Sequence, residues 1–217
     1  MKINSKFITA VVATSIGLGA IGQVALADTG TSTNATTEVT KMTAGELAVP
    51  AIGVTLMTDV HKARVAMFDG QIDAASAVLA QATSYLGDDA AKFAIKLPGD
   101  SGYGLPVDGG LSFAEGFTPT QDHAGTINAA GELMQKGDQN AAIKMMTDAG
   151  IKLAMNVVVV PYKSTVDGLE KAVVDLDGGE IHSANMTLKS IETSPEVVSY
   201  APDALPKQGY ALDEIFQ

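Results

Sequence analysis

The residues that could carry chemistry in this chain are three histidines, a few acidic pairs, scattered serines, nine methionines and one glycine-rich run. His61, His123 and His182 fall in separate helical segments, and no two stand at the His-x-x-x-His spacing of a zinc site. A metal would require them to converge in space. Their plainer reading is as surface or half-buried helix residues, with pH sensing as a third reading, since histidine gains charge between pH 5 and 8. Asp88-Asp89, Asp175 with Asp177, and Asp213-Glu214 lack the ligand order of a calcium loop and read as solvated helix ends. No Gly-x-Ser-x-Gly or Ser-x-x-Lys pattern offers a nucleophile; Ser164 follows Lys163 directly. The run from Gly99 to Gly104 is not followed by a lysine-bearing helix, so it makes a poor phosphate cradle. Met134, Met145, Met146 and Met155 hint at copper(I), but their helical spacing and apolar neighbours assign them to the core. The absence of cysteine excludes disulfides, thiolate metal sites and a lipid-modified cysteine. These residues predict a protein that is not an enzyme and holds neither metal nor cofactor.

The first 27 residues give the place of work. Lys2 and Lys6 precede an uncharged run at residues 7–21, and Ala25-Leu26-Ala27 stands before the first acid, Asp28. This is the layout of a secretory signal peptide cleaved after Ala27. The run is too short, and too interrupted by Thr9, Thr14, Ser15, Gly17 and Gly19, to be a span of ~20 apolar residues. Cleavage removes two lysines, so the formal charge of −11 becomes −13. A chain so acidic repels nucleic acid and anionic lipid, and no membrane insertion is expected once the signal is gone.

Residues 28–45 are mostly Thr, Ser, Ala, Gly and Asn, and read as a flexible leader. Beyond them the organising feature is a turn that occurs three times: Asp69-Gly70, Lys136-Gly137 and Gly178-Gly179, each between two helical runs. Five residues past each turn glycine stands Ala75, Ala142 or Ala184; nine past stands Leu79, Met146 or Leu188. A small residue followed by a large one lets paired helices approach closely, as in tetratricopeptide hairpins. The turn spacings of 67 and 42 residues depart from the regular ~34 of that repeat.

Six glycines and three prolines at residues 97–121 exclude a long helix there and predict a long central loop. Lys92-Phe93-Ala94-Ile95-Lys96 alternates like a short strand. Val157-Val158-Val159-Val160 before Pro161 fits a buried strand or the tail of a buried helix equally. Three prolines at residues 194–217 predict an irregular tail that docks through its apolar residues. The expected fold is mainly α: antiparallel helical hairpins with tetratricopeptide-like turns, a long central loop and a few short strands, in a single domain over residues 46–217.

Ala63-Arg64-Val65-Ala66-Met67-Phe68-Asp69-Gly70, the Leu105 to Phe117 stretch, Gly137-Asp138, Val160-Pro161 and the run from Glu180 to Lys189 together resemble the YfdX family of exported bacterial proteins. The match runs in order from about residue 50 to residue 192. The resemblance implies a mainly helical periplasmic domain that self-associates and serves acid or envelope stress, with a chaperone-like role in some members and no catalytic residue to carry over. Protein clients, or further copies of the chain, are the expected partners. Tyr103, Phe113 and Phe117 are the candidate anchors, because aromatics in a glycine-rich loop can bury much area on a partner; their plainer reading is that they plug that loop onto the helices. The alternative function is a small-molecule or metal-binding protein whose loop lids a pocket between helices.

Overall fold

Gly70, Gly137 and Gly179 adopt φ of 73°, 82° and 77°, a left-handed conformation that side-chain-bearing residues rarely take. Each closes a helical hairpin as the sequence predicts. The computed structural model describes residues 39–42, 47–99 and 101–217. The signal peptide expected at residues 1–27 lies outside the described residues, as does most of the expected leader.

In chain order the elements begin with strands β1 (Val39–Met42) and β2 (Leu47–Pro50), then helices α1 (Ala51–Phe68), α2 (Ile72–Ser84) and α3 (Asp88–Ala91). Strands β3 (Ile95–Lys96) and β4 (Tyr103–Phe113) follow, then helices α4 (Ala124–Gln135) and α5 (Gln139–Asp148). The last part is strand β5 (Leu153–Pro161), helices α6 (Tyr162–Asp177) and α7 (Ile181–Glu192), strand β6 (Glu196–Tyr200) and helix α8 (Leu212–Ile215). The strand β1 lies within the stretch read as a leader, and pairs antiparallel with β2.

The expectation of a mainly helical fold is corrected by the sheet. Strands β3-β4-β5-β6 form a four-stranded antiparallel sheet, so the protein is mixed α and β. The segment read as a central loop supplies its eleven-residue strand β4, and the tail read as irregular supplies β6. Glycine and proline misled because this strand uses them structurally. A Cβ on Gly104 would stand 2.9 Å from Cβ of Val159, so only glycine lets the strands close. A bulge follows Pro106, and β3 borders β4 only at Tyr103 and Gly104, leaving Pro106 and Gly109-Gly110 where no described strand bonds to β4's other edge. The valine run, open to two readings from sequence, is strand.

Two cores lie on opposite faces of this sheet. Leu153, Met155, Val157 and Val159 of β5 pack with Ala130, Ala142, Ile143 and Met146 of the α4–α5 hairpin. On the other face Leu105, Val107 and Val160 join the core of a four-helix bundle in which α1 and α6 each touch α2 and α7. The repeated turn slots fill these cores: Ala75, Ala142 and Ala184 are fully buried, as are Leu79 and Leu188, with Met146 nearly so. Because one hairpin sits across the sheet from the other two, the three do not stack as a solenoid. The last segment straps the ends together. Gln208 exchanges two hydrogen bonds with the backbone of Ala48 (2.8 and 2.9 Å) and donates a third to the Phe93 carbonyl (2.7 Å).

Two outcomes follow from this packing. At Gly53, a Cβ would lie 2.5 Å from the Pro106 carbonyl oxygen and 3.1 Å from Val107. Gly53→Ala therefore lowers stability in urea unfolding by about 1–3 kcal/mol; an unchanged midpoint would show that α1 does not bear on β4. The second concerns Asp175, which Lys171 (2.5 Å) and the Ser183 hydroxyl (2.7 Å) hold below the ordinary carboxylate range. A depressed folded-state value adds stability above the unfolded value and loses it as pH falls through the folded one. The stability gap between the parent chain and Asp175→Asn should be constant at neutral pH and close on acidification below about pH 4.

Candidate functional site

Strand β4 carries two of the three expected aromatic anchors at its ends, roughly 30 Å apart at ~3.3 Å per residue. At one end Tyr103 is half-buried, its ring edge-on to Tyr210 at 4.8 Å beside the bundle core. At the other, Phe113 is exposed, and its ring lies 5.9 Å from that of Phe117. Phe117 packs in turn on the core beneath α4–α5 and on His123, 5.5 Å away. His123 Nδ1 accepts the Thr120 backbone N–H at 3.1 Å, which fixes the turn leading into α4. The structure thus joins Phe113 and Phe117 into one aromatic cluster with a histidine at its base, and places Tyr103 apart from it.

The open edge of the sheet begins two strands from this cluster. The outermost strand, β6, bonds only to β5, so its other edge presents unpaired backbone groups among the described residues. Val197 on β6 is 65% exposed. Beside it a polar ladder crosses three strands: Ser199 donates to Asn156 (2.6 Å) and Asn156 to Ser112 (2.9 Å). Tyr200, at the end of this edge, buries its hydroxyl without a hydrogen-bond partner among the described residues. Burial, and then the charge of Glu196, raise its pKa.

A second surface lies on the outside of α1 and α7. Glu192 ties the helices together, accepting from His61 Nδ1 at 2.6 Å and pairing with Arg64, whose Nε also reaches Asn185 at 3.1 Å. Arg64 is the one arginine in the chain. Next to this tie stand Val65 and the 88%-exposed Phe68. Sequence reading missed Phe68 as a surface residue because the helix is apolar on two sides, and the buried row of Leu56, Val60, Ala63 and Met67 accounts for its helical period by itself.

A third feature is a cleft of about 510 Å³ lined by Ile52, Ser84, Tyr85, Gly87, Asp88, Asp89 and Lys92. Tyr85 donates to the buried carboxylate of Asp59 (3.0 Å), which also pairs with Lys62 (2.8 Å). Burial and that carboxylate push the Tyr85 pKa up. Tyr162, fully buried, donates to the Gly87 carbonyl, and burial drives its hydroxyl pKa to about 12. The Tyr85–Asp59 and Tyr162–Gly87 bonds each join separate elements. Among the described residues, no three His, Asp or Glu side chains are grouped to hold a metal ion. His61 faces α7, His123 caps the turn before α4, and His182 is exposed in the first turn of α7.

The architecture is thus a mixed α and β one, a four-helix bundle on one face of a small antiparallel sheet and a helical hairpin on the other. The family model described as YfdX protein matches residues 56–201, and the chain belongs to that family. It is 30% identical over 147 residues to Protein YfdX of Escherichia coli (strain K12), covering 64% of this chain and 69% of that protein. It also resembles the solved structure of Salmonella Typhi YfdX, with a TM-score of 0.57 and 23% identity over 71% of this chain and 92% of that one. That second likeness speaks for the fold.

The tie between α1 and α7 can be weighed directly. Glu192 and Arg64 are each about three-quarters buried, whereas Lys62 is 60% exposed. Glu192→Ala should cost about 1–2 kcal/mol in urea unfolding, and Lys62→Ala less than about 1 kcal/mol. Equal effects would show that the cross-helix tie carries no more weight than a surface pair.

Proposed function

We propose that this YfdX-family protein is a non-enzymatic factor of the periplasm, and that it holds apolar, extended segments of other proteins during acid or envelope stress. The observation that carries the reading is the free edge of β6 with Val197 in solvent, with the aromatic cluster at the end of β4 two strands away on the same sheet. An unpaired edge offers backbone hydrogen bonds to any extended chain, and flanking apolar side chains add affinity with little sequence preference. Such binding suits a protein that meets many unfolded clients. The formal charge of −11 supports an acid link, because carboxylates that repel other acidic chains at neutral pH are neutralised near pH 4. The signal-like first 27 residues support export.

The test is suppression of client aggregation. An acid-unfolded client is returned to pH 4.5 and to pH 7 with and without this protein, and scattering is followed. Suppression should be stronger at pH 4.5. Val197→Lys and Phe113→Ser, both at exposed positions, should each cut it by about half or more while leaving the melting temperature within a few degrees. A client that scatters equally with and without the protein at both pH values would sink the reading.

A further inference from the structure

Beyond β6 the chain holds on to the protein mainly by side chains. Among the described residues, residues 201–217 make one backbone–backbone hydrogen bond to the remainder, from the Gly209 N–H to the Lys92 carbonyl (2.8 Å), and Ile215 alone of this stretch is buried. The most specific hold is a slot built from backbone groups of two distant segments. The Ala48 N–H, the Ala48 carbonyl and the Phe93 carbonyl converge on the Gln208 side chain. Its oxygen accepts from the first at 2.8 Å, and its nitrogen donates to the other two at 2.9 and 2.7 Å.

One donor and two acceptors so placed read a primary carboxamide, because that group joins an acceptor oxygen to a nitrogen with two hydrogens to give. A carboxylate would set an oxygen against two carbonyl oxygens, and an ammonium would leave the Ala48 N–H without an acceptor. The next two residues add to the reading. Gly209 turns left-handed with φ of 97°, and Tyr210 sets its ring edge-on to that of Tyr103 at 4.8 Å. The step that fits this place is therefore glutamine, glycine, aromatic. Ala48 precedes the segment matched by the family model and Gln208 follows it, so the slot is closed by parts of the chain outside that match.

We propose that the slot is a recognition site for an extended segment of another protein that carries a glutamine two positions before an aromatic residue, and that the chain's own tail is its resident occupant. The tail is suited to give way. A segment fixed by one backbone bond and a few part-buried side chains opens locally, far more often than the protein unfolds. While tethered, it stands at the slot at an effective concentration of about millimolar, so it excludes weaker ligands and yields to tighter ones. Phe93 leads into β3, at the opposite edge of the sheet from β6. The inference thus goes beyond the client-binding reading, which uses the β6 edge, and its test uses defined peptides, so either can fail without the other.

The test follows, by fluorescence anisotropy, the binding of a labelled peptide of residues 205–217 to the full chain. Gln208→Ala in the chain removes the resident carboxamide; Gln208→Asn keeps one but is a methylene too short to span the slot. Both variants should bind the peptide about tenfold or more tighter than the parent chain, and a peptide carrying Gln208→Glu should bind them about tenfold or more weaker. A peptide of alanine and serine that keeps only the Gln-Gly-Tyr step should bind within about tenfold of the tail peptide. In the parent chain, the Ala48 and Gly209 amides should exchange hydrogen about a hundredfold faster than the Val157 amide of β5. A tail peptide that binds neither variant, or binds as well with Gln208→Glu, would overturn the proposal. So would a tail peptide that binds where the alanine-serine peptide does not, since the slot would then serve the chain's own tail only. Ala48 and Gly209 amides that exchange no faster than Val157 would overturn it as well, and that measurement needs no variant.

Discussion

Strand β5 buries one face along its length and both faces at its end, where Val159 and Val160 are buried side by side, and the rest of the structure follows from that requirement. Val157 and Val159 belong to the core under α4–α5, while Val160 belongs to the bundle core. No single layer of helices can satisfy such a strand, because side chains alternate between the faces of a sheet. The chain therefore needs helices on both sides, and the three hairpins divide two and one to provide them. Neighbouring strands are needed as well, since a buried strand must pair its backbone groups on both edges. Strand β4 supplies one edge and β6 the other.

The polar contacts described above fasten this arrangement together. Tyr85 and Lys62 meet at Asp59 to fasten α1 to α2, and Glu192 gathers His61 and Arg64 to fasten α1 to α7. Ser183 and Lys171 meet at Asp175 to fasten α6 to α7. Each carboxylate joins two helices through the donors it gathers. Of the ionisable residues that looked like candidates for chemistry, His61 and Asp175 are thus joints of the bundle.

Local signals were legible where the fold uses local rules. A glycine that must turn left-handed, an alanine five residues later and a large apolar residue nine later describe a hairpin completely, and all three hairpins stand where those residues put them. The sheet was hidden because its evidence is non-local. Gly104 reads as a loop residue until Val159 is brought against it, and Pro106 reads as a breaker until one sees that no described strand bonds to its outer edge. The four valines were ambiguous for the same reason, since a short apolar run fits a strand or a buried helix until its neighbours are known. The anchors suffered likewise. Tyr103 and Phe113 look adjacent in a loop, but an extended strand sends them to opposite ends of the sheet.

The strap made by Gln208 has a bearing on how the chain comes to be folded. Its amide grips the backbone of Ala48, 160 positions earlier, and Glu192 grips His61 across 131. A polypeptide that emerges from its N-terminus holds α1 and β2 long before the residues that complete them exist. Loop closure over such separations is slow, so the first hairpin waits with its bundle-facing side uncovered. An ending cut before Gln208 would remove the hydrogen bonds that fasten Ala48 to the close of the chain.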